Sequence, residues 1–202
     1  MSNIIQFPVK SAKHTAFGVG IVDLPTSVTH SNGKNTKVYS MWTSMLQRCY
    51  SAKFHETYPQ YIGCSVCDEW LTFSNFKSWF DENYIEGYQL DKDILVEGNK
   101  IYCPTRCVFV PKAVNVFCAN VKKRSQGLPT GVNTAGKKFK VTIFDPVLNK
   151  PIYYGVYNTV EEAHNVYLTK KQQLAYEVVQ RHEMPVFVKL AVINRFMPKK
   201  AA

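Results

Sequence analysis

Apolar residues recur three and four positions apart in two early stretches: Val38, Trp42, Met45 and Cys49, then Trp70, Phe73, Phe76 and Phe80. That spacing puts each set on one face of a helix. Between Leu90 and Pro111 the pattern changes to short apolar runs, 93–96 and 108–110, around Gly98-Asn99, which predicts extended segments and a turn. A helix carrying Asn115 is expected after Pro111. Further on, Phe139, Val141 and Ile143 alternate with Lys138, Lys140 and Thr142, the signature of a strand with one buried face. Val132 opens a strand before it, 146–150 is a turn, and 151–156 forms a third strand. Thr159 and Glu162 stand at the spacing of a capping box, opening a helix with Val160, Ala163, Tyr167 and Leu174 on its apolar stripe. The segment 184–198, with Val186, Leu190, Ile193 and Phe196, reads as a short amphipathic helix.

Composition sharpens this picture. With 202 residues, 46% of them apolar, the chain can bury a core, which excludes wholesale disorder. A formal charge of +10 favours polyanionic partners, double-stranded DNA first. The charge is unevenly spread: residues 68–98 hold eight of the fifteen acids, whereas 119–140 hold none and carry Lys122, Lys123, Arg124, Lys137, Lys138 and Lys140. The charged stretch 122–129, closed by Gly and Pro, reads as a linker between parts 37–121 and 130–183, with an extension at 1–36 and a basic tail at 184–202. No run reaches the eighteen apolar residues of a membrane span, and the start lacks a signal-peptide pattern, so a soluble intracellular protein without a membrane partner is expected. Six cysteines in a chain of this size then point to buried fillers or metal ligands rather than disulfides.

Two passages carry a resemblance. The run Tyr39-Ser-Met-Trp-Thr-Ser-Met-Leu-Gln-Arg-Cys-Tyr50, then Val66-Cys-Asp-Glu-Trp70, Phe73 and Phe76, and Leu90-Asp-Lys-Asp-Ile94 with Gly98-Asn99, Tyr102, Pro104 and Cys107, resembles phage-type HNH homing endonucleases. Gly131-Val132, the strand at 138–143, Gly155 and Thr159-Val-Glu-Glu-Ala-His-Asn-Val-Tyr167 resemble the apetala/ethylene-response-factor DNA-binding domain. The fold so implied is α+β: an N-terminal helical part and a ββα-metal domain, then a three-stranded antiparallel sheet packed on one long helix. The tandem implies a phage protein acting on DNA in the host cytoplasm.

The HNH resemblance also implies a Mg²⁺ ion, held by an acid and a helix Asn or His, with a histidine as general base. Asp91 matches the acid, Asn115 is the best helix residue with Asn120 as second choice, and Lys92 stands where an active enzyme has its histidine. An ordinary lysine, with a pKa near 10.4, is a poor base at neutral pH. Lys92 is therefore expected either to contact a phosphate or to bridge carboxylates in a weakened domain, unless His55 or His14 enters the site. Cys64, Cys67, Cys103 and Cys107 have the ligand count of a structural Zn²⁺ site, the alternative being buried apolar cysteines. The apetala resemblance implies a sheet lying in the major groove, read through Asn133, Lys137, Lys138, Lys140, Thr142 and Tyr154, with Lys122, Lys123 and Arg124 adding charge. The alternatives are a solvated lysine face, and a non-catalytic module that binds DNA or a protein partner as regulator or inhibitor.

Overall fold

The computed structural model describes residues 15–119, 127–146 and 148–197. His14, Asn120, Lys122, Lys123 and Arg124 lie outside the described residues. The architecture is α+β. In chain order, β1 (Thr15–Ala16) and β2 (Gly20–Ile21) precede α1 (Thr26–Thr29), β3 (His30–Ser31) and β4 (Lys34–Asn35). Then come α2 (Lys37–Tyr50), α3 (Ala52–Thr57), β5 (Ser65–Val66), α4 (Asp68–Leu71) and α5 (Phe73–Asn83). Next are β6 (Tyr88–Asp91), β7 (Ile101–Tyr102), β8 (Val108–Pro111) and α6 (Lys112–Cys118). The chain closes with β9 (Val132–Ala135), β10 (Lys138–Asp145), β11 (Lys150–Tyr157), α7 (Val160–Gln180) and α8 (Val186–Asn194). Charge marks 122–129 as a boundary, whereas contacts divide the chain into two compact units elsewhere: 1–84 with 100–106, and 85–99 with 107–202. The second unit joins the 88–118 segment to the C-terminal sheet because Ile94, Val110, Val114 and Phe117 share one apolar core with Val132, Val141 and Leu174.

The first unit is built on the two aromatic-rich helices. Trp42 and Met45 of α2 and Phe73 and Phe76 of α5 are buried. Their rings interlock, Trp42 with Phe73 at 5.2 Å and Trp70 with Phe76 edge-on at 5.1 Å. The Trp42 indole donates to the Trp70 carbonyl at 2.7 Å, so burial leaves that N–H satisfied. The two-residue strands β5 and β7 pair in parallel, tying 100–106 into this unit.

In the second unit β6 and β8 form an antiparallel pair, Leu90 opposite Phe109 and Asp91 opposite Val108, and α6 follows β8 directly. The strand is 88–91, not the 93–96 run expected from its apolar residues. The reason is local: Asp91 Oδ1 accepts the backbone N–H groups of Asp93 and Ile94, at 2.8 and 2.7 Å, and turns the chain out of the ladder. The sheet β9–β10–β11 is antiparallel throughout, and α7 packs on it. The expected capping box is present, with Thr159 Oγ1 accepting from the Glu162 N–H at 3.1 Å and Glu162 Oε2 accepting from the Thr159 N–H at 3.3 Å. On α8 the apolar stripe differs from the expected one. Val188, Val192 and Ile193 are buried, whereas Val186 and Leu190 are exposed.

Candidate nucleic-acid interface and acidic site

The sheet of the second unit has one face against α7 and one open. Val132, Val141 and Ile143 are buried, so their alternating neighbours Lys138, Lys140 and Thr142 on β10 and Asn133 on β9 face outward. Lys138 and Lys140 are exposed, and Lys137 extends the same edge from the turn. Tyr154 does not join them. A register shift lies between Val141 and Thr142: Gly155 pairs with Val141, but Tyr153 pairs with Thr142, so Tyr154 is the extra residue of a bulge. Tyr154 instead packs against the core, beneath the Lys170 ammonium of α7 at 5.8 Å from its ring. The outward aromatic of β11 is Tyr153, 61% exposed. Sequence alternation alone missed it; Gly155, in a strand at φ +115°, is the sign of a bulge that could have found it. The outward positions Asn133, Lys138, Lys140, Thr142, Phe144, Tyr153 and Val156 include no acid.

The second constellation sits at the end of β6. The Asp91 carboxyl is pushed up to about 6 by burial and then by the neighbouring Asp93 carboxyl, which lies within hydrogen-bonding reach. Lys92 turns back onto its own loop. Its Nζ donates to the Asn99 carbonyl at 2.9 Å and approaches Asp93 Oδ2 at 3.5 Å, while Asn99 Nδ2 donates back to the Lys92 carbonyl at 2.6 Å. Lys92 thus ties the 92–99 loop to itself and lies beside one carboxylate, that of Asp93. Asn115 on α6 donates to Gln89 Oε1 at 2.9 Å. Gln89 and Asp91 are two apart on β6 and share a face, so Asn115 lies over the face that carries the acid. His55 belongs to the first unit, where its Nε2 pairs with the Arg48 carbonyl at 2.8 Å.

The buried Cys118 thiol is pushed up to about 12. Burial contributes most; Asp91 and Asp93 add to it, and Arg195 and Lys171 oppose it. Neither cation belongs to the sequence motif. Lys171 of α7 lies 3.6 Å from the centre of the Phe117 ring and 5.2 Å from that of Phe196, and burial lowers it to about 8. Between that value and the ordinary 10.5 the unfolded chain holds the extra proton, so this lysine makes stability rise with pH across 8–10 and imposes its full penalty below 8. The penalty is about 3 kcal/mol, and attraction to the two rings returns about 1–2 kcal/mol of it. Lys171→Met is therefore expected to stabilise the protein by on the order of 1–2 kcal/mol at pH 7. It should also flatten the 8–10 rise. Denaturant titrations of both proteins at pH 7 and pH 10 check this, and a destabilised variant at pH 7 rules it out.

The four candidate zinc ligands are not equivalent. Cys67 and Cys103 follow the parallel β5–β7 register side by side, with the Cys67 N–H donating to the Tyr102 carbonyl at 2.9 Å. Burial, with Cys103 adding to it, pushes the Cys67 thiol up. Cys64 and Cys107 are buried. Among the described residues no three His, Cys, Asp or Glu side chains converge as a metal-binding group. The oxygen donors of Asp91, Asp93 and Asn115 are of the hard kind that suits Mg²⁺. No helix among the described residues is long and apolar enough to cross a membrane. No protein-family model, curated protein or solved structure matches the chain.

Proposed function

We propose that the protein binds double-stranded DNA through the open face of β9–β11 and carries, in its ββα segment, a weakened HNH-type site for metal-dependent phosphodiester cleavage. The observation that carries the reading is the acid-free outward face, where Lys138, Lys140, Thr142 and Asn133 are joined by Tyr153. Lysines on such a face meet phosphates, Thr and Asn reach base edges, and a tyrosine adds a flat apolar contact. In the ββα segment Asp91 and Asp93, with Asn115, would hold Mg²⁺, which would polarise the phosphate and activate water. The chain's own residues orient the acid: backbone N–H groups of Asp93 and Ile94 fix Asp91 Oδ1. A specific observation favours a second reading, the non-catalytic DNA- or protein-binding regulator. The ammonium in the histidine position is consumed in closing its own loop, so no general base is supplied there.

Duplex affinity measured across a salt series tests the main reading. Its logarithm should fall with the logarithm of salt by about 0.9 per phosphate contacted. Lys138→Ala and Lys140→Ala should each weaken binding and lower the slope by about one. Thr142→Ala or Asn133→Ala should relax preference at one base pair and leave the slope alone. Binding indifferent to both lysines would sink the groove-reading role and put the protein-partner reading first.

A further inference from the structure

We infer that Arg195, at the end of α8, supplies the cation that grips a phosphodiester beside the Asp91–Asp93 carboxyl pair, making the C-terminal helix part of the site. This deepens the cleavage reading above and rests on it. Arg195 Nη1 donates to the backbone carbonyl of Asp93 at 2.9 Å, a contact spanning 102 residues of chain. A guanidinium has five N–H donors, and this carbonyl engages one of them. Among the described residues no carboxylate lies within ion-pair distance of Arg195, so its charge is held at the Asp93 backbone without an ion-pair partner there. Lys92, the nearest cation in the motif, is committed to Asn99 and Asp93.

The arginine is also held in place. Val188, Val192 and Ile193 bury one face of α8, and the next residue, Phe196, meets Phe117 edge-on at 5.2 Å. The approach to α8 is fixed by the Tyr88 hydroxyl, which donates to the Glu183 carbonyl at 2.7 Å. A planar fork anchored through one nitrogen can meet two phosphate oxygens with the others, the geometry that lysine does not reproduce. Fixed donors of this kind lower a barrier because no reorganisation is needed when charge develops.

The full-length protein is incubated with plasmid DNA and Mg²⁺ or Mn²⁺. Arg195→Gln is expected to lower the cleavage rate by about 10²-fold. Duplex affinity should fall no further than it does for Lys138→Ala, because the sheet carries most of the binding, and Arg195→Lys should recover part of the rate. Equal cleavage by parent and Arg195→Gln overturns the assignment, as does a loss matched by lost folding in the melting curve. A second readout holds if the parent does not cleave. The side-chain Nε–H signal of Arg195, identified by its absence from Arg195→Lys, is followed by nitrogen-15 NMR during titration with inorganic phosphate and with a short duplex. A saturable shift, retained in Lys138→Ala, supports the phosphate site while the cleavage reading fails alone. An unmoved signal overturns the site.

Discussion

Asp91→Asn is expected to make the protein more stable at pH 8 while reducing any metal-dependent cleavage to background. The folded carboxyl titrates at about 6, against an ordinary value near 3.8. For an acid raised in this way the folded state holds the extra proton between pH 4 and 6, so stability falls as pH rises through that window. Above pH 6 the full penalty applies, about 3 kcal/mol for a shift of this size. Asparagine keeps an oxygen to accept from the Asp93 and Ile94 N–H groups but brings no charge beside Asp93. The gain should approach 2–3 kcal/mol at pH 8, roughly 5–10 °C in melting temperature, and vanish at pH 4. Mg²⁺ should raise the melting temperature of the parent and leave the variant unmoved, since binding to the folded state alone is stabilising. Equal melting temperatures at pH 8 would mean that the acid pair holds no electrostatic strain. A buried acid that costs stability is a candidate for a site kept for function rather than for folding.

What could be read from the sequence follows the range of each interaction. The helices at Lys37–Tyr50 and Phe73–Asn83, the capping box at Thr159 and the alternation along Lys138–Asp145 are local patterns, and local patterns survive because neighbours three or two residues away decide them. The misplaced features are those decided at longer range. The bulge that turns Tyr153 rather than Tyr154 outward depends on how β11 pairs with β10, and alternation cannot show an inserted residue. The loop at 92–97 looks extended by composition, but a single side chain, Asp91, claims the backbone donors that a strand would use. The resemblance pointed to Asp91, Lys92 and Asn115, whereas it offered no pointer to Lys171 and Arg195. Their positions are set by tertiary packing of α7 and α8, more than fifty residues beyond the motif.

Replacing Gly131 by alanine should cost the second unit on the order of 2–5 kcal/mol, although it adds a single methyl group. Two independent causes add. Gly131 has φ +84°, in the left-handed region, where an L-residue is disfavoured by about 1–2 kcal/mol. The new Cβ would also stand 1.9 Å from Cδ2 of the Tyr167 ring, with Cε2 at 2.3 Å and Cγ at 2.5 Å. Ring atoms at these distances cannot yield by a small rotation, and Tyr167 is buried on α7, so either helix or strand must move, a cost of about 1–3 kcal/mol. The contact matters for function because Gly131 delivers the chain into β9, where Asn133 lies opposite Lys140 on the proposed DNA face. Denaturant titration of four proteins separates the causes: parent, Gly131→Ala, Tyr167→Ala and the double variant. In the Tyr167→Ala background the glycine substitution should cost only the backbone part, giving a coupling of about 1–3 kcal/mol between the two sites. Full additivity would mean that the ring does not seat on the glycine. A cost for Gly131→Ala below about 0.5 kcal/mol, the scatter of surface substitutions, would remove the close approach altogether. With the approach intact, duplex affinity at temperatures well below the melt should fall less for Gly131→Ala than for Lys140→Ala, because the glycine shapes the face whereas the lysine is the proposed phosphate contact.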